Sequence, residues 1–285
     1  MGIFNFNNGK TDLIIPTPSE MLNVDQFLRR TTHLGIGTHP DDNEIMAYNG
    51  IGICYDKEDR WFTGVVITKG EGGTKEGPYK DLTNEELARI RHDELLKAAK
   101  IGNFLALVGL NYTSQELKKD RRFDVRADLT HILDTTRPEV VYINNLFDAH
   151  DTHLSAALRS IEALRDISPV FIPKIVYGCE ITESLDWYPE KIQLDVSMHP
   201  EVAHQILYIF QSQSENNRDY PHATISRWES QATFDRTNKY GPKRISYAMD
   251  LTGLIKDKGI GLEEFIQEKV QLFALRKRRD LKEML

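Results

Sequence analysis

The stretch GIGTHPDDNEIMAYNG, residues 35–50, changes within a few positions from an apolar run to a cluster of ionisable side chains. Its glycines end the run HLGIGT, which is typical of a buried strand that leads into a tight turn. Helical spacing resumes at Asp42 and continues to about Tyr55. We therefore predict a strand, a polar turn and a helix, in that order, with His39 and Asp41 on the turn.

The alternation of strand and helix continues through most of the chain. The runs typical of strands are HLGIGT, RWFTGVVIT, FLALVGL, PEVVYINN, PKIVYGCE and KIQLDVS. The clearest helical pattern between them is TNEELARIRHDELLKAAKIG, in which Thr83 and Glu86 form a capping box and Gly102 marks the end. Repeated strand–helix units favour a parallel sheet. We therefore predict a Rossmann-like α/β fold, a three-layer sandwich with a mostly parallel sheet and a C-terminal extension.

We predict one domain over residues 1–285, with a core at about 30–215 and the extension at 216–285. The opening run PSEMLNVDQFLRR predicts a helix with Ser19 as its N-cap. The segment SQSENNRDYPHATISR, residues 212–227, is polar and predicts a long surface loop.

Composition limits the classes of partner and the location. The formal net charge of −7 argues against nucleic acid as the main partner, because phosphate binding needs clustered Lys and Arg. The sequence contains no apolar run long enough to span a membrane, and its N-terminus lacks the pattern of a signal peptide. Cys54 and Cys179 lie far apart and are interpreted as reduced core residues. We expect a cytoplasmic protein with no membrane span.

Polar segments follow three of the predicted strands: THPDD, KGEGG and NNLFDAHDTH. Because ligands of parallel sheets bind beyond the carboxyl ends of the strands, we expect these segments to converge. His39 and Asp42 are three positions apart, and so are His150 and His153. Two imidazoles and one carboxylate form a common catalytic zinc set that leaves a coordination position for water. Asp41, beside a ligand, suits a general base, and His150 suits stabilisation of a developing oxyanion.

Other interpretations of these residues remain open. Asp41 and Asp42 at a helix start also interact favourably with the helix dipole, and isolated histidines in a loop are usually surface residues. A dinucleotide site is disfavoured, because a G-x-G-x-x-G loop needs a third glycine where Pro40 stands. A two-metal phosphoesterase would need further bridging carboxylates, and the sequence offers no third pair in register.

The motifs together resemble the LmbE-like, or PIG-L, family of zinc-dependent sugar N-deacetylases. They cover about residues 32–215 in the family's order, and the first has the form found in the bacillithiol-pathway type of enzyme. The matching segments are His39-Pro40-Asp41-Asp42-Asn43-Glu44, Thr68-Lys69-Gly70-Glu71-Gly72-Gly73, Arg91-His92-Asp93-Glu94-Leu95, Asp148-Ala149-His150-Asp151-Thr152-His153 and Ser212-Gln213.

The resemblance implies a metal-dependent N-deacetylase that removes the acetyl group of an N-acetylglucosamine-type sugar or glycoconjugate and releases acetate. It implies that His39, Asp42 and His153 ligate Zn²⁺, that Asp41 is the base, and that His150 stabilises the tetrahedral intermediate. An N/O ligand set also accepts other divalent ions.

The resemblance further implies that Glu71 and Arg91 hold the sugar or its aglycone. Thr152 replaces the aspartate that orients the catalytic histidine in the family, and we expect Asp148 or Asp151 to take over that position. This departure keeps open a non-catalytic or divergent metal-binding member that acts on another amide. The expected partner is a small N-acetylated sugar, and the extension is compatible with a homo-oligomer.

Overall fold

The computed structural model describes residues 6, 9, 11–16, 23–72, 75–119, 124–214, 218–235 and 241–285. Within these residues eight strands form one sheet with the order β1-β4-β3-β2-β5-β6-β8-β7. The strands are β1 Asp12–Ile14, β2 His33–Gly37, β3 Phe62–Thr68, β4 Ala106–Tyr112, β5 Val140–Asn144, β6 Ile175–Cys179, β7 Ile192–Asp195 and β8 Ile245–Asp250.

The centre of the sheet is parallel and its edges are antiparallel. Strands β4, β3, β2, β5 and β6 run in one direction, whereas β1 pairs antiparallel with β4, and β8 lies antiparallel between β6 and β7. All seven residues of β3 are buried, as expected of a strand covered on both faces. The predicted α/β fold with a mostly parallel sheet is confirmed.

Helices cover both faces of the sheet, so the core has two parts. Val65 and Ile67 of β3 pack with helices on one face, whereas Phe62 and Val66 pack with helices on the other. The helices are α1 Val24–Leu28, α2 Asp42–Met46, α3 Tyr48–Cys54, α4 Asn84–Ile101, α5 Ser114–Lys118, α6 Asp124–Thr136, α7 Asp151–Asp166, α8 Pro200–Leu207, α9 Tyr220–Phe234, α10 Thr252–Lys256 and α11 Leu262–Met284. None of the described helices has both the length and the apolar composition needed to cross a membrane.

Local signals located most helices correctly. Thr83 and Glu86 form the predicted capping box of α4, and Gly102 follows its last residue. The helix predicted from Asp42 to Tyr55 is divided into α2 and α3 at Ala47, whose backbone leaves the helical region at φ −108° and ψ 14°. The N-cap predicted at Ser19 lies outside the described residues.

The surface loop predicted for residues 212–227 is wrong, because α9 begins at Tyr220. Asp219 caps this helix by accepting a hydrogen bond from the backbone N–H of His222 at 3.0 Å. Thr224, Trp228 and Gln231 are buried at helical spacing along one face. The polar letters of the segment conceal this face, because Thr224 and Gln231 are polar although buried and Trp228 lies just beyond the segment.

Two strands were absent from the sequence interpretation. Strand β1 is only three residues long, and β8 lies in the segment that was predicted as an extension. Both cysteines are free and buried, in agreement with their interpretation as core residues.

Candidate active site and metal centre

The polar segments after β2 and β5 meet at the carboxyl edge of the sheet. These strands are hydrogen-bonded neighbours in parallel register, so the residues that follow them are brought together. They line a cavity together with side chains from α4 and from loops near the C-terminal half. The lining residues are His39, Asp41, Asp42, Ile45, Glu76, Arg91, His150, His153, Ile181, Thr182, Ser212, Gln213, Arg218 and Tyr220.

The turn after β2 is held by the Asp42 side chain. Oδ2 of Asp42 accepts backbone N–H hydrogen bonds from Thr38 at 2.8 Å and from His39 at 2.9 Å. The turn passes close to the strand it leaves, because a Cβ placed on Gly37 would lie 3.0 Å from Cβ of Asp42. The glycine therefore allows the close approach that fixes the direction of the carboxylate.

Three donor atoms from the two segments form a triangle. Nδ1 of His39 lies 3.1 Å from Nε2 of His153, and Oδ2 of Asp42 lies 3.7 Å from each of these nitrogens. Zinc bonds of about 2.0–2.2 Å in tetrahedral geometry separate neighbouring ligand atoms by roughly 3.4 Å. The spacing and chemistry of these donors fit such an ion.

His150 stands beside the triangle and is the first candidate for a further donor. A second group that could hold a metal ion consists of three imidazoles, His39, His150 and His153. One ring nitrogen of each lies within 4.8 Å of the other two. His150 is exposed and precedes the first residue of α7, whereas His153 is buried one turn later. His150 is therefore the member of the cluster that faces solvent.

Asp148 supports the cluster from behind. Its Oδ1 lies 3.2 Å from Nδ1 of His153, on the side of the ring opposite the triangle. The same carboxylate accepts backbone hydrogen bonds from His150 at 2.9 Å and from Thr182 at 3.0 Å. A carboxylate in this position fixes the ring orientation of a metal-binding histidine.

Asp151 and Thr152 lie differently from Asp148. The Asp151 carboxylate is largely exposed and lies 4.0 Å from Nζ of Lys118. Thr152 is buried within α7. Asp148 and Asp151 were expected to orient the catalytic histidine, His150. The Asp148 carboxylate instead faces the ring of His153 and accepts the backbone N–H of His150, and Asp151 lies at the surface.

The charges of the cluster are coupled. Burial opposes ionisation of Asp42, but His153 and His39 outweigh it and hold the pKa of this carboxyl below its usual range. Burial lowers the pKa of His153. The charges of Asp42 and Asp148 raise it by more, so the pKa of His153 lies above its usual value. Burial, together with His153 and His39, lowers the pKa of His150. The exposed imidazole therefore favours its neutral form.

Asp41 points into the same cavity from the start of α2. Burial raises its pKa, and the neighbouring Asp42 carboxylate raises it further. The charge of His39 and the Gln213 side chain oppose this shift in its pKa. A carboxylate with a raised pKa in a cleft is suited to accept and return a proton.

Arg91 lines the cavity, whereas Glu71 is not among the lining residues. Nη1 of Arg91 donates to the carbonyl of Gly70, and Nη2 donates to the carbonyl of Ser212 at 3.2 Å. Glu71 is partly buried and its Oε2 makes no hydrogen bond within the described part of the chain. Its charge acts on Arg91, because it raises the pKa of the guanidinium against the effect of burial.

Glu94 was not selected from the sequence as a site residue. Its Oε1 accepts the backbone N–H of Ser212 at 2.9 Å, and its Oε2 accepts the Ser212 hydroxyl at 2.5 Å. The signal was present, because both residues stand within the quoted R-x-x-E-L and Ser-Gln patterns. Spacing within a helix could suggest only an exposed pair of Arg91 with Glu94, whereas both are buried.

Several lining residues carried no signal in the sequence. Glu76, Thr182 and Arg218 come from loops, Tyr220 begins α9, and these residues have no ligand-like spacing. Only the folded sheet brings these loops to one edge.

A family model described as GlcNAc-PI de-N-acetylase, PIG-L, matches residues 34–164. This segment begins in β2 and ends in α7, so it includes the His39 and His153 segments. Residues 34–164 form a PIG-L domain. The match confirms the resemblance found in the motifs, and the matched segment marks the chain as an N-deacetylase enzyme. A comparison with curated proteins gave no match.

Solved structures share the fold of this chain. An N,N'-diacetylchitobiose deacetylase from Pyrococcus horikoshii is 20% identical with a TM-score of 0.63, and the match covers 80% of this chain and 86% of that one. A 4-carboxy-2-hydroxymuconate hydratase from Pseudomonas putida is 17% identical with a TM-score of 0.62, over 78% and 96% of the two chains. The zinc inhibited form of a teicoplanin deacetylase is 12% identical with a TM-score of 0.52, over 77% and 98%.

Proposed function

We propose that this enzyme is a zinc-dependent hydrolase that removes the acetyl group from an N-acetylglucosamine-type sugar or glycoconjugate. The observation that carries the proposal is the triangle of His39, Asp42 and His153 donor atoms beside the Asp41 carboxylate in one cavity. The family description, which names a de-N-acetylase of a GlcNAc-bearing substrate, supports the choice of bond and of sugar.

His39, Asp42 and His153 would hold the metal. A bound divalent cation would polarise the acetamide carbonyl and lower the pKa of a water molecule to about 7. The ligand set of imidazole and carboxylate suits zinc and also accepts iron or manganese. The name of one structural neighbour records inhibition by zinc for that protein, so elemental analysis has to decide the ion in this one.

The remaining chemistry falls to side chains of the chain itself. Asp41 accepts a proton from the attacking water as the water oxygen bonds to the acetamide carbon. A ring N–H of His150 donates to the carbonyl oxygen as negative charge develops there. Asp41 then passes the proton to the sugar nitrogen as the carbon–nitrogen bond breaks. The immediate products are acetic acid and the amine, and transfer of the acid proton to the amine gives acetate and an ammonium group, so atoms and protons balance.

Arg91 and Glu71 are proposed to hold the sugar or its aglycone. A guanidinium has five N–H donors, and the two backbone carbonyls it contacts leave others for a ligand. Glu71 would act from the loop after β3, next to Arg91. Asp148 is proposed to support His153, and Asp151 remains the alternative support from the same segment.

The setting of the reaction is part of the proposal. A net charge of −7 favours a small neutral or cationic substrate over nucleic acid. We propose a cytoplasmic location, a single domain over residues 1–285 and compatibility with a homo-oligomer.

The test is acetate release from a panel of N-acetylated glucosamine derivatives, measured with the enzyme before and after treatment with a chelator. We expect release that the chelator abolishes and that re-addition of the bound metal restores. Metal binding without acetate release from any amide in the panel would instead favour the non-catalytic interpretation, which the Thr152 substitution in the fourth motif keeps open.

A further inference from the structure

We propose that α11, Leu262–Met284, pairs in antiparallel orientation with the same helix of a second copy of this chain. The helix is 23 residues long, and Phe265 is its only buried residue. In proteins most of the stability of a helix comes from packing, because an isolated helix is marginal in water. A helix that packs so little against its own chain therefore has most of its surface available to a partner.

One exposed stripe of α11 has the pattern of a helix that pairs with another. Its positions alternate by four and three residues, a spacing that places side chains on one face and that recurs in paired helices. All six side chains are exposed. The members of this α11 stripe are Glu264, Glu268, Gln271, Leu275, Arg278 and Lys282.

The charges of the α11 stripe are divided between its two halves. The first half carries the carboxylates of Glu264 and Glu268, and the second half carries the cations of Arg278 and Lys282. Within the chain, Oε1 of Glu268 lies 3.0 Å from Nζ of the neighbouring Lys269. A rise of 1.5 Å per residue separates Glu268 from Arg278 by about 15 Å along the helix, so the two halves cannot meet within one copy.

An antiparallel second copy brings the two halves together. In the register that places Gln271 opposite Leu275, the other four members of the stripe form oppositely charged pairs. These pairs are Glu264 with Lys282 and Glu268 with Arg278, and a two-fold axis repeats each of them. A parallel pair in register would place carboxylates against carboxylates and cations against cations. Like charges across an interface are unfavourable, so the stripe selects the antiparallel orientation.

The same division of charge argues against other occupants of the stripe. An anionic membrane surface or a nucleic acid would attract the second half but repel Glu264 and Glu268 in the first half. A second copy of this chain offers both signs of charge in the required order. The stripe therefore fits a second α11 better than it fits a uniformly anionic partner.

Apolar side chains contribute the affinity of this contact, and the charges set its orientation. Leu275 in the centre of the stripe is 61% exposed, and Leu281, which follows Arg278 by one turn, is 60% exposed. Exposed ion pairs add little to stability, but they discriminate between partners and orientations. Salt screens such pairs. We therefore expect a weak dimer that dissociates more readily at high salt.

The experiment measures the mass of the full-length protein by sedimentation equilibrium, at concentrations that extend into the tens of micromolar. Glu264→Lys/Glu268→Lys makes both halves of the stripe basic, and Arg278→Glu/Lys282→Glu makes both halves acidic. We expect the unmodified protein to have twice the mass of one chain. We expect each reversal alone to halve the mass, because its two halves now repel those of another copy.

Two further samples restore complementary charges. An equimolar mixture of the basic and the acidic variants should regain the doubled mass. The four substitutions combined in one chain should regain it too, because they exchange the signs of the halves and keep the net charge of −7. Far-UV circular dichroism and the melting temperature are measured for every variant to show that it is folded.

Glu58→Lys/Asp59→Lys is the matched control, because both carboxylates are exposed in the loop before β3 and the change in charge is the same. We expect it to keep the doubled mass. A monomeric unmodified protein at every concentration, a mass that neither reversal changes, or a mixture that fails to associate would each overturn the pairing.

Sedimentation of the unmodified protein with vesicles of anionic lipid, at concentrations where it is monomeric in solution, would assign the stripe to a membrane and overturn the pairing as well. None of these outcomes bears on the deacetylase function, because α11 contributes no residue to the lining of the His39 and His153 cavity.

Discussion

Nδ1 of His39 and Nε2 of His153 lie 3.1 Å apart, although the two residues are separated by 114 positions in the chain. Both nitrogens face the same point as the Asp42 carboxylate, and each histidine follows one of two neighbouring parallel strands. The contact results from the parallel pairing of β2 with β5. This pairing brings the two histidine-containing motifs to the same end of the sheet.

Replacement of His153 by alanine should remove the metal. This residue contributes one of the two buried corners of the triangle, and two donors remain after its loss. We expect elemental analysis to show loss of the bound ion and acetate release to fall to background. His222→Ala, on the exposed face of α9, should leave both unchanged. A metal content equal to that of the intact enzyme would contradict the assigned ligand set.

Asp148→Asn should weaken metal binding without destroying the site. His150 and Thr182 donate to different oxygens of the carboxylate, so the single amide oxygen retains only one of these two backbone contacts, and the charge that faces Nδ1 of His153 is lost. Loss of such a supporting group typically costs about 10- to 100-fold in metal affinity. A competition assay with a chelator measures this change. Asp93→Asn, an exposed carboxylate on α4, is the control, and an equal loss there would count against the support by Asp148.

Asp41→Asn should separate catalysis from metal binding. The substitution preserves the size of the side chain but removes the proton acceptor. We expect turnover to fall about 10²- to 10⁴-fold, which is the usual contribution of a positioned acid or base. The metal content should stay at the level of the unmodified enzyme. Retained turnover would show that another group acts as the base.

Gly37→Ala should destabilise the turn that holds Asp42. The added Cβ would lie 3.0 Å from Cβ of Asp42 and 3.2 Å from Nδ2 of Asn43, so the turn must shift. We expect the free energy of unfolding in urea to fall by about 1–3 kcal/mol, the usual cost of overpacking. Gly253→Ala in α10, where a Cβ meets nothing within 4 Å, should not lower it. Equal effects at both positions would mean that the turn accommodates the methyl group.

His33 should make stability depend on pH between about 6.5 and 4. Burial and the charge of Arg60 lower its pKa to about 4, whereas the unfolded chain binds a proton near the ordinary value of 6.5. The unfolded state therefore holds more protons in this window, and stability falls as the pH is lowered through it. The contribution of His33 amounts to about 3 kcal/mol, which is fully present above 6.5 and lost towards pH 4.

The free energy of unfolding should be measured at pH 7 and pH 4.5 for the intact protein, His33→Gln and the exposed control His222→Gln. We expect the difference between the two pH values to shrink for His33→Gln alone. An unchanged difference would show that His33 does not contribute to the acid sensitivity of the fold.

Short-range patterns predicted the parts of the fold that are built locally. The apolar run before Thr38 and the capping box at Thr83 each specify an element from a few neighbouring residues, and both elements are present. The convergence of the His39 and His153 segments was also predictable, because the edge of a parallel sheet is fixed by its chain order.

Long-range pairings could not be predicted in the same way. The position of β8 between β6 and β7 depends on which edge is free once the other strands have paired, and no local residue encodes that choice. The bond between Glu94 and Ser212 likewise joins residues 118 positions apart through a helix and a short turn. Each partner taken alone resembles an ordinary polar residue.

The position of β8 late in the chain affects folding during synthesis. Strand β7, Ile192–Asp195, pairs only with β8, Ile245–Asp250, among the described strands, so it has no neighbour while the ribosome is still adding the residues between them. The parallel centre of the sheet can assemble during synthesis, but its far edge closes last. Truncation before residue 245 would leave β7 and the open side of β6 as unpaired edges, which favour aggregation over release of a native protein.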